Sequence, residues 1–321
     1  FISLMPFRDG ADSLFNFRVD SDFASPDAVD KLYDLCVKHA IAATWFVETG
    51  SCESWIDRYG SMEGQEIGLH CYKHRISRKY SQNEHDVRKG KLILKKGGIR
   101  PKGYASPFGE WHPSLAKAVE HHGFTYSSEF ALDYDNLPFS PLIGDRFSSV
   151  LQVPVHPVST GTLRNARHST DDMVQYFQTA VEDRFVHQLP LFFYDHPANA
   201  DLEALNRFFH AINERKVHIT TMGHYVDWWK KRCALEWSAR FNEECLHLSV
   251  NGISDGIHVE VAQPGKNASH HLESCKWSMG EINWIDTKRA SHLSPDISVR
   301  HRLNYKMVLN NILHTYWKYK L

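Results

Sequence analysis

Short runs of two-residue period alternate with longer runs of helical period along most of the chain. Phe15, Phe17 and Val19 alternate with Asn16, Arg18, Asp20 and Asp22, which predicts a strand over 14–22 with both aspartates on one face. A helix after Ser25-Pro26, a strand over 42–48 and a short buried strand ending at His70 follow. Next come a helix over 82–96, a strand over 103–106, a helix over 113–122 and a strand over 125–130. A run over 148–155 leads to a helix over 171–187, a strand over 190–195, a helix over 202–215 and a strand over 217–221. Strand–helix alternation of this kind predicts an α/β fold with parallel strands and crossover helices, most simply a barrel of βα units. The rhythm stops near Trp237, giving way to strand-like pieces over 246–250 and 256–261 and an amphipathic helix over 304–319. The expected division is a (β/α) barrel domain over 1–235 and a small β-rich appended domain with a C-terminal helix over 236–321.

Composition narrows the class. A chain of 321 residues with 42% hydrophobic content can bury a full core. Its formal charge of −1 offers no global field for nucleic acid. No apolar run reaches the length of a transmembrane helix, and the first residues lack a basic segment followed by a small-residue cleavage site. The six cysteines form no CxxC pair, so reduced thiols and a cytoplasmic location are expected.

Among 21 histidines, spacing and strand context single out His70-Cys71-Tyr72-Lys73-His74. Residues four apart on a straight strand lie about 13 Å from each other, so the chain must curl after His70 for both imidazoles to reach one ion. With Asp20-Ser21-Asp22 upstream, the set offers two imidazoles and a carboxylate for a divalent metal, with a second carboxylate left for chemistry. Mixed nitrogen and oxygen ligands suit Zn²⁺ first, with Co²⁺, Ni²⁺, Mn²⁺ or Fe²⁺ also compatible.

Four ordered motifs across roughly residues 12–230 resemble the polysaccharide deacetylase family, the NodB-homology group of metal-dependent carbohydrate esterases. They are Arg18-Val19-Asp20-Ser21-Asp22, His70 to His74, Tyr104-Ala105-Ser106-Pro107-Phe108-Gly109, and Leu191-Phe192-Phe193-Tyr194-Asp195-His196-Pro197. The separated aspartates are more similar to the branch of lipid-linked aminosugar deformylases and allantoinase-like amidases than to secreted chitin deacetylases. The resemblance implies a distorted barrel of the NodB type, Asp22, His70 and His74 as metal ligands, Asp20 as general base and His196 as general acid. Phe108 would offer its backbone N–H to the oxyanion, and Tyr104 would stand beside the substrate or serve as a packing aromatic. Ala105 stands where the family has an arginine that holds the catalytic aspartate. Arg18, two residues before Asp20 on the same strand face, is expected to supply that charge within the substrate site.

Two further features remain. A basic run between Lys73 and Lys102, including Arg75, Arg88, Lys89, Lys91, Lys95, Lys96 and Arg100, is either a solvated helix or a contact for an anionic or lipid-linked carbohydrate. Asp133 and Asp135 are either a polar loop or the source of a carboxylate that orients a site residue. The leading expectation is removal of an N-acetyl or N-formyl group from an aminosugar of a polysaccharide or glycolipid precursor. The alternatives are a carbohydrate-binding pseudoenzyme, suggested by Ala105, and an amidase acting on a small non-sugar C–N substrate.

Overall fold

A computed structural model of the chain describes residues 1–286, except Asp12, Lys216 and Glu243, together with Ile312. The helix expected over 304–319 lies outside the described residues. Strands β1 (Ile2–Leu4), β2 (Leu14–Asp20), β3 (Thr44–Glu48), β4 (Glu66–Cys71), β5 (Gly103–Tyr104) and β6 (Tyr126–Ser127) occupy the first half. A two-stranded ribbon, β7 (Leu142–Ile143) and β8 (Arg146–Phe147), precedes β9 (Leu151–Gln152), β10 (Leu191–Asp195) and β11 (His218–Ile219). The helices are α1 (Pro26–Lys38), α2 (Thr49–Cys52), α3 (Asp57–Gly60), α4 (Tyr80–Lys96), α5 (Pro113–His121), α6 (Thr160–Asn165), α7 (Thr170–Val186), α8 (Leu202–Asn213) and α9 (Met222–Ala234).

The main sheet runs β10-β2-β3-β4-β5-β6-β9 with every neighbouring pair parallel, and β11 adds to the N-terminal end of β2. It curls into the expected distorted (β/α) barrel. No ladder joins β9 to β10 among the described residues; the His156 N–H donates to the Phe192 carbonyl across that gap at 2.7 Å. Side-chain alternation divides each strand between two environments. On β2, Phe15, Phe17 and Val19 point out under the helices, where Phe15 meets Phe208 and Phe209 edge-on. Asn16, Arg18 and Asp20 therefore point into the barrel. Asn16 donates there to Thr44 Oγ1 and to the Thr220 carbonyl, while its own Oδ1 stays buried without a partner, so a buried polar floor lies beneath the site.

Beyond α9 the chain forms β12 (Glu236–Asn242), β13 (Cys245–Asn251), β14 (His258–Gln263), β15 (Lys266–His271), β16 (Cys275–Ser278) and β17 (Ile285–Asp286). These make two antiparallel sheets, β12-β13-β16 and β1-β14-β15-β17, so the expected β-rich region is present. The sequence pattern does not show that β1, at the start of the chain, pairs with β14 through Ile2↔Val261 and Leu4↔Val259. One apolar cluster runs from the barrel, through Phe46, Tyr126 and Phe192, to Trp228, Trp229, Leu246 and Val259. No helix among the described residues is long and apolar enough to cross a membrane.

Candidate active site

The site gathers at the C-terminal ends of β2, β4 and β10, where an α/β sheet presents its functional loops. Strand β2 ends at Asp20, and Asp22 follows in a turn. Strand β4 delivers His70, after which residues 72–74 bend and return His74, leaving the two imidazole rings 5.1 Å apart. Asp22 Oδ1 lies 2.8 Å from His70 Nε2, and Asp22 Oδ2 lies 3.1 Å from His74 Nε2. Despite these distances, Asp22 Oδ1 and both Nε2 atoms are buried and make no hydrogen bond. The atoms converge without aligning as donor and acceptor, the geometry of a ligand set. His70 Nδ1 sits 2.8 Å from the Ala105 carbonyl, which fixes the N–H there and leaves the Nε2 lone pair directed inward. These residues fit a divalent cation: one carboxylate and two imidazoles whose ligand atoms all lie within 4.8 Å. Burial works to raise the Asp22 carboxyl, but the charges of His70 and His74 hold it well below the usual range.

Arg18 is 0% exposed and grips Asp20 with a bidentate fork, Nε to Oδ1 at 2.7 Å and Nη2 to Oδ2 at 2.6 Å. Its Nη1 donates to the Ser128 carbonyl at 2.7 Å and the Ser128 hydroxyl at 3.1 Å. Phe46, Phe130 and Tyr194 surround the guanidinium with centroids 5.3 to 5.7 Å from it. With its head group so engaged, Arg18 is a positioning residue for Asp20 and not the substrate contact expected from its place in the motif.

His196 follows β10 with its Nε2 3.6 Å from Asp22 Oδ2. Asp195 does not reach the His196 ring; it accepts from the His196 backbone N–H at 2.9 Å and from Thr160. Asp135 lies between His156 and Arg184, so its carboxylate serves that pair rather than His196. Phe108 is 46% exposed, edge-on to His74 at 4.4 Å, and adopts φ 61°. Gly109 beside it has φ 62°, and a Cβ there would fall 1.8 Å from the Phe130 ring, which accounts for glycine in the motif. Tyr104 is 2% exposed and packs edge-on to Phe124, so burial favours the packing alternative over substrate contact. Much of the basic run is paired locally, Arg75 with Asp86, Arg88 with Glu84 and Lys96 with Glu53, as a solvated helix would be.

Two residues escape the sequence reading. Phe23 is 63% exposed, has φ 48° and meets the site at His74, 5.6 Å between centroids. No strand or helix period marks such a residue. Glu129 is buried close to Arg18, with its Oε2 lacking a hydrogen-bond partner. Burial pushes its carboxyl up to about 7, against the Ser127 hydroxyl and the Arg18 charge. A carboxyl raised from 4.5 to about 7 binds a proton more readily in the folded state, so stability should fall as pH rises through that interval, by about 3 kcal/mol. The unfolding free energy of the wild type minus that of Glu129→Gln is expected to decline over this window. A pH-independent difference would contradict the raised value.

The parallel barrel thus brings two imidazoles and two carboxylates together at its strand ends. Residues 17–127 match the family model of polysaccharide deacetylases. No curated protein matches it in sequence. Among solved structures it is similar to a Mycobacterium smegmatis protein described as a polysaccharide deacetylase, at 18% identity and TM-score 0.59, covering 72% of this chain and 96% of that one. The Puue allantoinase matches at 19% identity and TM-score 0.59, covering 71% and 93%. A Pseudomonas aeruginosa PAO1 protein described as a polysaccharide deacetylase matches at 17% and 0.59, covering 69% and 92%. At these identities the likeness is one of fold.

Proposed function

We propose that this chain is a metal-dependent hydrolase that removes an N-acetyl or N-formyl group from an aminosugar of a polysaccharide or glycolipid precursor. The observation that carries the reading is the convergence of Asp22, His70 and His74 beside a second carboxylate, Asp20, that a buried arginine holds in place. Those three residues would hold the cation, Zn²⁺ by ligand type. When bound, it supplies Lewis acidity that polarises an amide carbonyl and makes water a competent nucleophile near neutral pH.

The chain's own residues carry the rest. Asp20 Oδ1 and Oδ2 each spend one acceptor direction on Arg18, and a remaining lone pair takes the proton of the attacking water. His196 gives a proton to the leaving amine nitrogen. The Phe108 backbone N–H faces the developing oxyanion. Phe23 and Phe108 both meet the His74 ring edge-on and limit how a substrate ring approaches. We further assign the barrel within residues 1–235 to catalysis and the two antiparallel sheets, which take in β1 as well as the strands after residue 235, to recognition of substrate or partner.

Arg18 favours this reading over a pseudoenzyme, because the charge lost at Ala105 is supplied from within β2. The test is acyl release from a panel of N-acetyl and N-formyl aminosugars, monomeric, polymeric and lipid-linked, alongside small cyclic and linear amides. Acetate or formate released from a sugar, lost on chelation and restored by Zn²⁺, is expected. Turnover of the small amides alone would move the substrate to the amidase class, and none on any substrate would leave a scaffold.

A further inference from the structure

A second group of soft and borderline ligands lies far along the chain, where β15 passes into β16. His270, Glu273 and Cys275 each offer one ligand atom, and the three atoms lie within 4.8 Å of one another. The connection is short and crosses from the four-stranded to the three-stranded antiparallel sheet. Its backbone is anchored on both sides. The Leu272 N–H donates to the Ile257 carbonyl at 2.8 Å, and the Ser274 hydroxyl accepts from the Val250 N–H at 3.1 Å. The His270 ring stands edge-on to Trp277, with centroids 4.8 Å apart. Imidazole and sulfur thus come from the adjoining strand ends, fixed by the ladders with His270 opposite Val259 and Cys275 opposite Leu248, and the carboxylate from the connection between them.

We infer that His270, Glu273 and Cys275 form a second divalent-metal site, of the zinc type, that braces the crossing between the two appended sheets. Ligands around a tetrahedral Zn²⁺ with bonds of about 2.0–2.3 Å lie about 3.3–3.8 Å apart, so side-chain rotation of roughly 1 Å closes the set. A thiolate beside a carboxylate is repulsive in the absence of a cation; a divalent ion reverses that sign and deprotonates the thiol outright. Cysteine in the donor set selects zinc and its soft relatives over Mg²⁺ or Ca²⁺. Three protein ligands leave one position for water, and the exposure of Glu273 with the partial exposure of His270 and Cys275 makes the site accessible from solvent. The inference is independent of the proposed hydrolase activity.

Sulfur distinguishes the two sites, since the barrel set contains only nitrogen and oxygen donors. Metal-free full-length protein titrated with Co²⁺ is expected to take up two equivalents, one of them producing a near-ultraviolet thiolate-to-cobalt charge-transfer band. Cys275→Ser should abolish the band and one equivalent, while Asp22→Asn should keep the band. Zn²⁺ should raise the thermal midpoint of Asp22→Asn and lose that effect when Cys275→Ser is added. Should Cys275→Ser not fold, Glu273→Gln, at an exposed position, is expected to weaken the band-forming event at least tenfold. A band that survives Cys275→Ser, as it would from another cysteine, or no band at all in the folded wild type, would overturn the site.

Discussion

Asp20→Asn is expected to lower kcat by about 10²- to 10⁴-fold, the usual contribution of a positioned general base, while the metal content of the purified protein stays at the wild-type level. The amide preserves the volume of the carboxylate but cannot take a proton from water. Asp20 is not a member of the converging set; its two oxygens face the Arg18 fork. Asp22→Asn should behave oppositely, losing metal along with activity, because Asp22 supplies the only carboxylate among the three converging residues. In Asp20→Asn the new side-chain N–H₂ would face one Arg18 donor, so a modest fall in thermal midpoint is part of the expected result. Metal analysis and kcat on the same preparations decide the matter. If Asp20→Asn keeps activity within a few-fold of wild type, the base is another residue and the assignment fails.

The second large effect is on stability. Arg18→Met is expected to destabilise the fold by about 3–5 kcal/mol, because it leaves the Asp20 charge buried without its partner. Methionine nearly fills the space among Phe46, Phe130 and Tyr194, so little of the loss comes from a cavity. The cost should shrink when Asp20 is neutralised too: Arg18→Met/Asp20→Leu removes both charges, leaving mainly the Ser128 carbonyl without its donor, a penalty of about 1–3 kcal/mol. Arg18→Lys keeps the charge but cannot form the planar two-point contact, and should recover stability better than activity. Denaturant unfolding of the three variants tests this. Equal destabilisation of the single and double variants would mean that Arg18 serves the fold through something other than Asp20.

Much of the candidate site was legible because its residues obey strand arithmetic. The four motifs fall at the ends of β2, β4 and β10 and in the turn after β5, and the bend demanded by His70 and His74 is present at residues 72–74. What was not legible depends on contacts distant in sequence. Tyr104 lies next to Ala105 in the motif, yet burial against Phe124 takes its ring into the core. Phe23 gains its place from a left-handed backbone and from His74, more than fifty positions away, neither of which has a signature in a single sequence. Asp135 turned to His156 and Arg184 for the same reason.

By itself the amino-acid order determined the alternation of strand and helix, the parallel barrel that follows from it, and which chemical groups arrive at strand ends, because these depend on periods of two and 3.6 residues and on short turns. It also placed Arg18 and Asp20 on one face, since residues two apart on a strand share a side. Only the tertiary structure decided that this polar face is the interior of the barrel while the phenylalanines of β2 pack outward under α8, and that β1 joins the sheet of the last described strands. A strand's period shows that it has two faces but not which of them the helices will cover; that choice is made by the surfaces that meet when the sheet curls.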